Sequence, residues 1–427
     1  MSELTSRNLY SYIAENQADK VKYRIETTSL NAHICKKSLS LFIIDTIHQN
    51  MSRLNRRIKL GTLFSGIGAI EQALLKLNID HEIVFACDNG EREIRESREE
   101  IVEILKDVPY NEREATIAKL YSAKGENYME KSYKANYKIG PNRFFQDIRF
   151  INGDQFKNLD IIVGGSPCQA FSCNGKRGGF DDTRGTLFYE YARIIKESQP
   201  KCFIYENVKG MVTHDQGRTW ETIKNVFNEL NYDIYIHKDD KGKESPVLNA
   251  ADYGIPQNRL RLYVIGIRKD ITLEKDFSFP APIELTTTVK DYLSTEPIPA
   301  KYYLGKKGFE FVTTHPTRAK VGGSIMNCQK ATQQFNWNGD FIFEELDPSR
   351  HNEEILNRAH LGEWNGKKGV IRMFTPRECL RLMGFPDSFN IVVKDITMWR
   401  QAGNSIVVNV LEALIEEIIN TGIFNKQ

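Results

Sequence analysis

The chain has 427 residues, of which 41% are hydrophobic and 27% are charged, with a formal net charge of +2 at pH 7. This length is sufficient for two compact domains with a sizeable buried core. The near-neutral charge excludes nucleic-acid binding driven by overall charge, so any such surface must come from local clusters of Lys and Arg.

The N-terminal segment combines helical spacing with basic residues, and we treat residues 1–56 as a helical basic extension. Residues 1–20 lack the basic head and apolar stretch of a signal peptide. The apolar run 39–47 contains Asp45 and is too short to span a bilayer. The seven cysteines form no Cys-x-x-Cys pair, which predicts neither a disulfide framework nor a metal site. We expect a cytoplasmic protein with no membrane partner.

Strands and helices alternate from residue 57 to 269. The patterns predict strands at 59–64, 83–87, 160–163, 202–205 and 259–267, and helices at 69–77, 187–197 and 219–230. This alternation predicts an α/β fold with a mostly parallel sheet and helices on both faces. The charged, helical stretch 91–135 interrupts the alternation and is interpreted as an insertion.

From about 270 to 370 the alternation stops, and prolines and glycines punctuate a region of loops and short strands. This composition predicts a smaller second domain. Helical patterns return at 376–383 and 407–419. We therefore expect a first domain at 57–269, a loop-rich domain at 270–370, and a C-terminal part at 371–427.

A glycine-containing turn follows the first predicted strand. Gly66 and Gly68 allow a ligand to approach the backbone. Glu71 stands where the dinucleotide fingerprint has a third glycine, which favours a nucleoside with a short charged tail, such as S-adenosylmethionine. Asp88 and Asp147 are candidate acceptors for the ribose hydroxyls and the adenine amino group. The alternative is a turn that only packs a helix on the sheet, with Asp88 in a solvated loop.

Candidate catalytic residues follow the later strands. Cys168 comes just after the strand 160–163, at the sheet edge where α/β proteins bind ligands, and Pro167 restricts the backbone before it. Glu206 directly follows the strand 202–205. Arg259 and Arg261 share one face of a strand at the sheet edge. The alternatives are a buried thiol, a helix-capping acid and a solvated basic face.

Six motifs occur in an order that resembles the DNA (cytosine-5)-methyltransferases of bacterial restriction–modification systems, over about residues 58–267 and 370–420. They are the segments Phe64–Gly68, Gly165–Gln169, Glu206–Val208, Gln257–Arg261, Arg377–Pro386 and Gly403–Ser405. The resemblance implies the S-adenosylmethionine-dependent methyltransferase fold and transfer of a methyl group to C5 of cytosine in duplex DNA. In this family the last helix packs beside the first motif.

The resemblance also implies a mechanism. The Cys168 thiolate attacks C6 of cytosine, and Glu206 protonates the ring at N3. Arg261 contacts the O2 side of the base, and Arg259 supports the pocket. Because a ring atom cannot be attacked inside a stacked duplex, the cytosine must be flipped out.

S-adenosylmethionine is the implied cofactor, with S-adenosylhomocysteine as product and no metal. The implied cofactor residues are Phe64, Ser65, Gly66, Ile67, Gly68, Asp88, Asn89, Asp147, Ile148, Pro167, Leu187, Asn404 and Ser405. Asp88 and Asn89 depart from the family pattern, which often has Glu followed by a large residue that stacks on adenine. Because Asn89 stands at the position of that large residue, we expect less stacking on the adenine ring.

Residues 270–370 correspond by resemblance to a target recognition domain. Expected DNA contacts are Gln169, Ser172, Lys176, Arg177, Arg184, Gln257, Asn327, Gln329, Gln333 and Gln334. A polar loop that is only solvated is the alternative for the amide-rich stretch 324–337. The expected partners are double-stranded DNA and a cognate restriction endonuclease acting at the same site.

Two other functions remain as alternatives: methylation of tRNA cytosine, and non-catalytic DNA binding on the same fold. The size of the region 270–370 argues against the first, and the presence of Cys168, Glu206 and Arg261 argues against the second. For residues 1–56, three roles remain open: a DNA clamp, a dimerisation or stabilising arm, and a helix-turn-helix regulator.

Overall fold

The computed structural model describes Leu54 and residues 56–167 and 187–425. The helices are α1 Ala69–Lys76, α2 Arg98–Ile104, α3 Tyr110–Ser122, α4 Tyr128–Asn136, α5 Leu187–Ser198, α6 Arg218–Asn228, α7 Lys306–Thr314, α8 Glu353–Arg358, α9 Pro376–Arg381, α10 Asp395–Asn404 and α11 Val408–Asn420. The strands are β1 Ile58–Leu63, β2 His81–Cys87, β3 Phe144–Phe145, β4 Ile161–Gly164, β5 Cys202–Val208, β6 Tyr232–Tyr235, β7 Val247–Asn249, β8 Gln257–Asn258, β9 Leu260–Arg268, β10 Lys320–Val321, β11 Met326–Asn327, β12 Asp340–Glu345, β13 Gly362–Trp364 and β14 Lys367–Arg372.

The central sheet has eight strands in the order β3-β2-β1-β4-β5-β9-β6, with β7 also paired to β9. The strands from β3 to β5 are parallel, whereas β9 runs antiparallel to β5, β6 and β7. The chain order reverses between β1 and β4. Open α/β sheets bind ligands at the carboxyl ends of the strands at such a reversal.

Helices cover both faces of this sheet. Along β9, Tyr263 and Ile265 belong to one buried core and Leu262 and Val264 to the other, as the alternation of a strand requires. Helices α1 and α11 pack together on the first face. Helices α5 and α6 supply buried residues on the second face. The predicted fold class, a mostly parallel sheet between helical layers with a smaller sheet region, is confirmed.

Two local expectations are wrong. β9 is not an edge strand, because it lies between β5 and β6 and pairs with β7 as well. Glu206 does not follow its strand, because β5 continues to Val208 and pairs with β9 over its whole length, from Cys202 opposite Ile267 to Val208 opposite Arg261. Long antiparallel pairing with β9 therefore extends β5 past the point where its apolar run ends.

The charged stretch after β2 forms α2, α3 and α4. Its first two helices have a small core of their own, made of Ile101, Leu105, Ile117 and Tyr121. Ser97 and Glu100 form a capping box at the start of α2, which satisfies two backbone N–H groups that a helix end leaves unpaired. The insertion is therefore an ordered element with its own apolar contacts.

A second sheet, in the order β10-β12-β14-β13, lies in the loop-rich region. Arg372 at the end of β14 is fully buried and hydrogen bonds to Glu344 at 2.7 Å and to Glu378 of α9 at 2.8 and 2.9 Å. Strand β11 also pairs with β8, which precedes β9 of the central sheet. The two sheets are thus joined by a buried ion network and by strand pairing; the domain boundaries at 57, 270 and 371 stay predictions.

Candidate active site

A cleft of about 500 Å³ opens where the chain order of the central sheet reverses. Residues from nine separate segments of the described chain line it. The sequence-predicted residues in its lining are Phe64, Gly66, Asp88, Asn89, Asp147, Ile148, Pro167, Leu187, Glu206, Arg259, Arg261 and Asn404. One cavity therefore brings together Glu206, Arg259 and Arg261 of the predicted catalytic residues with most of the predicted nucleoside-binding residues.

The glycine turn after β1 is held open toward the cleft. Phe64 and Gly66 both have a φ of 54°, the left-handed region that favours glycine. A Cβ atom at Gly66 would meet no other heavy atom within 4 Å, so the space above the turn is free for a ligand. At Gly68 a Cβ atom would lie 2.1 Å from the Tyr137 ring, which excludes any larger residue.

Asp88 at the end of β2 is oriented by two backbone N–H groups. Gly66 N–H donates to Asp88 Oδ2 at 2.9 Å, and Gly90 N–H donates to Oδ1 at 2.8 Å. Burial raises the pKa of Asp88, while these two hydrogen bonds oppose the rise. Each oxygen keeps acceptor capacity, so this carboxyl can accept from the hydroxyls of a ribose.

Glu206 also lines the cleft and is paired with Arg261, whose Nε is 3.2 Å from Glu206 Oε1. Burial raises the pKa of Glu206, and Arg261 and Arg259 oppose the rise. A Cβ atom at Gly165 would lie 2.8 Å from Glu206 Oε2 and 2.4 Å from its carbonyl oxygen. The glycine thus lets the chain that leads to Cys168 pass directly against the Glu206 carboxyl.

The residues before Cys168 are fixed by β5. Asn207 Nδ2 donates to the Ser166 carbonyl oxygen at 2.9 Å and to the Tyr205 hydroxyl at 2.8 Å. The Ser166 and Tyr205 hydroxyls are 2.9 Å apart. This buried network fixes the position of Ser166, which directly precedes Pro167 in the cleft lining.

Arg259 is a buried anchor, with 2% of its surface exposed. Its guanidinium donates to the carbonyl oxygens of Gln329, Gly403 and Ser405 at 2.9, 2.9 and 2.7 Å. Burial lowers the pKa of Arg259. These bonds tie β9 to the loop-rich region and to the end of α10, and the expected support of the pocket by Arg259 stays a prediction.

Four predicted cofactor residues do not line the cleft. They are Ser65, Ile67, Gly68 and Ser405. The Ser65 side chain bonds the backbone of Cys87 and so ties β1 to β2, while the Ile67 side chain is in the core. These motifs therefore include residues whose side chains stabilise the local structure and do not contact the cavity.

The predicted DNA contacts of four glutamines are corrected by the burial of their side chains. Gln257, Gln329, Gln333 and Gln334 are at most 2% exposed. Gln257 bonds the Leu382 carbonyl and the Gln329 N–H, Gln333 bonds the Asp340 carbonyl, and Gln334 accepts from Phe374 N–H. The side-chain amides of Gln257, Gln333 and Gln334 form hydrogen bonds with backbone groups, and none of the four amides is exposed to solvent. Asn327, which is exposed, stays a candidate.

The expected adenine acceptor, Asp147, is also occupied within the protein. It accepts from the Tyr121 hydroxyl at 2.8 Å and from the backbone and guanidinium of Arg149. Other neighbours were missed by the sequence reasoning: Glu91 contacts Asn404, and Cys328 lies beside Arg259 and Arg261. Only the Asp147–Arg149 spacing gave a local signal, since a carboxylate often caps the turn that follows it.

Six predicted site residues lie outside the described residues. They are Cys168, Gln169, Ser172, Lys176, Arg177 and Arg184. Within residues 56–167 and 187–425, no group of three or more His, Cys, Asp or Glu side chains is arranged to hold a metal ion. In the same part of the chain, no helix has the length and apolar character needed to cross a bilayer.

Comparison with known proteins identifies relatives of this chain. The family model described as C-5 cytosine-specific DNA methylase matches residues 111–420. The type II methyltransferase M1.ScrFI of Lactococcus lactis subsp. cremoris is 37% identical over 304 residues, 71% of this chain and 72% of the relative. M.HhaI of Haemophilus parahaemolyticus is 36% identical over 304 residues, 70% of this chain and 86% of the relative.

Solved structures share the fold at low sequence identity. A crystal structure of a Spodoptera frugiperda DNMT2 variant has a TM-score of 0.58 and 19% identity, over 85% of this chain and 99% of that chain. The S. pombe Dnmt2 methyltransferase has a TM-score of 0.56 and 18% identity, with coverage of 85% and 99%. At this identity the likeness concerns the architecture alone.

Proposed function

This chain belongs to the C-5 cytosine-specific DNA methylase family and is a DNA (cytosine-5)-methyltransferase, and we propose how its cleft performs that reaction. One observation carries the proposal. A buried carboxyl paired with an arginine, Glu206 with Arg261, lines the same cavity as a glycine turn and the carboxyl of Asp88. The Glu206–Arg261 pair can hydrogen bond to a polar ring. The glycine turn and Asp88 can bind a nucleoside.

S-adenosylmethionine is the methyl donor that this cleft fits. The space above Gly66 is open, and Asp88 offers acceptors for the ribose hydroxyls. Glu91 and Glu93 add carboxyls to the lining, which favour a ligand that carries a sulfonium and an ammonium group. Phe64, Leu187 and Ile148 give apolar surface for the nucleoside. When bound, S-adenosylmethionine supplies an electrophilic methyl group.

Glu206 and Arg261 hold the cytosine in this proposal. Because burial raises the pKa of Glu206, its carboxyl keeps a proton to higher pH than a solvent-exposed Glu and can donate it to N3 of the ring. Arg261 orients that carboxyl and faces the O2 side of the base. Removal of water from the cleft strengthens both interactions.

Cys168 is the proposed nucleophile. It follows Pro167 directly, and Pro167 lines the cleft together with Glu206. The thiolate adds to C6, the ring electrons move toward N3 as Glu206 protonates it, and C5 becomes nucleophilic. After methylation at C5, N3 returns its proton to Glu206, a base removes the C5 proton and the C6–sulfur bond breaks, which regenerates the aromatic ring and the thiolate.

The substrate in this proposal is one cytosine of a short duplex site, flipped into the cleft. Methylation would protect that site from a cognate restriction endonuclease, as the relatives' designation as type II methyltransferases suggests. We propose a bacterial cytoplasmic location, because these relatives come from bacteria and the substrate is cellular DNA. Lys176, Arg177 and Arg184 are proposed phosphate contacts.

Methyl transfer provides the test. Tritium from labelled S-adenosylmethionine should enter duplex DNA and not tRNA, and bisulfite sequencing of plasmid DNA from expressing cells should reveal one methylated site. Cys168→Ala should abolish transfer and keep DNA binding in a gel-shift assay. Transfer to tRNA alone, or full activity of the Cys168→Ala variant, would refute the proposal.

A further inference from the structure

We propose that Cys328, in the loop-rich region, is a positioning residue for Arg261 and so sets the geometry of the pair that Arg261 forms with Glu206. The inference rests on the roles proposed above for Glu206 and Arg261 in holding the cytosine. It goes beyond them, because it gives the loop-rich region a part in the catalytic arrangement in addition to its expected DNA contacts.

The guanidinium of Arg261 is held at each of its three nitrogen atoms. Nε lies 3.2 Å from Glu206 Oε1, and Nη1 donates to the Leu260 carbonyl oxygen at 2.9 Å. Nη2 donates to Cys328 Sγ at 3.7 Å, a longer contact because sulfur is a weak acceptor. Glu206 and Leu260 belong to β5 and β9 of the central sheet, whereas Cys328 comes from the loop-rich region. The Cys328 contact therefore restrains the third corner of the planar guanidinium.

The sulfur of Cys328 contacts both arginines that line the cleft. It is 3.6 Å from Arg259 Nη1 and 3.7 Å from Arg261 Nη2. Arg259 is buried, and its guanidinium also donates to the Gln329 carbonyl oxygen at 2.9 Å. The sulfur thus has a fixed guanidinium on one side and holds the guanidinium of Arg261 on the other.

The backbone on both sides of Cys328 is fixed. Gln329 N–H donates to Gln257 Oε1 at 2.9 Å, and Asn327 N–H donates to Asp340 Oδ2 at 3.1 Å. Strand β11, which ends at Asn327, also pairs with β8. Because the chain is held on either side, the thiol has a defined place beside Arg261. Asn327 is exposed and is a candidate DNA contact, so recognition and the catalytic pair are separated by one residue of the chain.

The position of Arg261 also affects the proton on Glu206. Burial raises the pKa of Glu206, and Arg261 and Arg259 oppose this rise. Tyr263 of β9 also faces this charge, and burial, with a smaller contribution from Glu206, raises the pKa of Tyr263, so its hydroxyl stays neutral. An Arg261 side chain that moved away from Glu206 would oppose the rise less. The carboxyl would then keep its proton to a higher pH.

Single-turnover methylation of duplex DNA by the full chain tests the proposal. Cys328→Ala removes the sulfur and should slow methyl transfer by about 5-fold or more, because a misplaced catalytic group loses its productive geometry. Its affinity for the same DNA in a gel-shift assay should stay within about 2-fold of the wild-type value. The pH at which activity declines should move upward, because Arg261 then opposes protonation of Glu206 less. Cys328→Ser keeps an acceptor and should retain a rate within about 2-fold of the wild-type rate.

A double variant shows whether Cys328 acts through Arg261. Arg261→Lys keeps the positive charge and lacks the planar fork of donors. In that background, Cys328→Ala should reduce the rate by less than about 2-fold further, because the contact that it removes is already absent. Cys202→Ala is the matched control, since its buried thiol contacts the Asp160 carbonyl oxygen at 3.6 Å outside the cleft lining. This variant should keep the wild-type rate and pH profile.

Three results would overturn the inference and leave the proposed function standing. They are a wild-type rate and pH profile in Cys328→Ala, a loss of DNA affinity that accounts for its slower rate, and an equal loss of rate when Cys328→Ala is added to Arg261→Lys. Each would have to occur in a chain that Arg261→Ala inactivates. Full activity of Arg261→Ala would instead refute the role proposed for Arg261 itself, and with it the inference.

Discussion

Glu206 experiences two opposing influences on its proton. Burial disfavours the carboxylate, and the neighbouring guanidinium of Arg261 favours it. Burial prevails, so the pKa of Glu206 lies above its ordinary value. A catalytic acid needs this balance, because it must hold its proton near neutral pH and still release it to the ring.

Replacement of Glu206 by Gln should therefore reduce the rate of methyl transfer by about 100-fold or more, the usual range for loss of a general acid. Wild-type activity should also fall as the pH rises through the raised pKa of Glu206, because the acid form is lost. The Gln variant should lack this decline. Single-turnover methylation across a pH series measures both effects.

Glu82→Gln serves as the control, since Glu82 is an exposed carboxyl on β2 outside the cleft lining. Its rate and pH profile should match those of the wild-type chain. A Glu206→Gln variant that retained the wild-type rate would remove this residue from the mechanism.

The four buried glutamines illustrate why composition misleads at single positions. An amide-rich stretch suits base reading, but the same groups also satisfy buried backbone donors and acceptors. The donor to Gln334 Oε1, Phe374 N–H, is 40 residues away in the sequence. No local pattern reveals such a partner, so the burial of these glutamine side chains could not be predicted from the sequence.

Gln334→Ala should lower the free energy of unfolding by about 1–3 kcal/mol, because Phe374 N–H loses its buried acceptor. The variant should methylate the same DNA site as the wild-type chain. Urea unfolding and bisulfite sequencing measure the two properties. Asn327→Ala, at an exposed position, is the contrasting variant and should weaken DNA binding with little loss of stability. A changed methylation site in Gln334→Ala would restore its predicted role in recognition.

Among the elements, helix α1, which follows the glycine turn, is joined to helix α4 by a buried hydrogen bond. Glu71 of α1 is fully buried and accepts from the Tyr133 hydroxyl of α4, and its Oε2 atom lacks a hydrogen-bond partner in the described chain. Burial raises the pKa of Glu71 to about 7. Glu71 therefore has a structural role, because it links α4 of the insertion to α1, the helix that follows the glycine turn.

This raised pKa makes stability depend on pH. The folded chain holds the Glu71 proton more tightly than the unfolded chain, so the contribution is fully present below pH 4.5 and is lost as the pH rises to about 7. The loss amounts to up to about 3 kcal/mol. Between about pH 5 and about pH 8, the free energy of unfolding of Glu71→Gln should decrease less than that of the wild-type chain.

Urea titrations at several pH values provide this comparison, and Glu82→Gln should follow the wild-type curve. A Glu71→Gln variant whose stability changed with pH as steeply as the wild-type chain would show that Glu71 does not hold the proton.

Most elements were predictable because their periodicity is local. The strands β1, β2, β4, β5 and β9 and the helices α1, α5 and α6 follow apolar patterns that a single segment displays, whereas the short strands β3, β6, β7 and β8 were not predicted. The place of β9 between β5 and β6 was not predictable, because pairing joins residues about 60 positions apart in the sequence. The docking of α3 on the loop 146–148 likewise depends on contacts that no periodicity reports.

For the whole molecule, the cleft assembles from distant segments, from Phe64 after β1 to Asn404 at the end of α10. Motif content and order predicted part of this lining, and the residues after β1, β2 and β4 were predictable because the carboxyl ends of parallel strands meet at one edge. Arg259 then joins β9, α10 and the loop-rich region through three carbonyl oxygens. The site residues are thus held by contacts between segments, which the motifs alone do not contain.

The central claim is that Cys168 bonds covalently to C6 of a cytosine in the cleft that contains Glu206. Duplex DNA with 5-fluorocytosine at the methylated position tests it most directly, because fluorine at C5 leaves no proton to remove and the adduct cannot resolve. With S-adenosylmethionine present, we predict a complex that resists denaturing electrophoresis, with the DNA attached to the peptide containing Cys168, and no complex for Cys168→Ser. Absence of the adduct in an enzyme that methylates normal DNA, or attachment at another residue, would contradict the account.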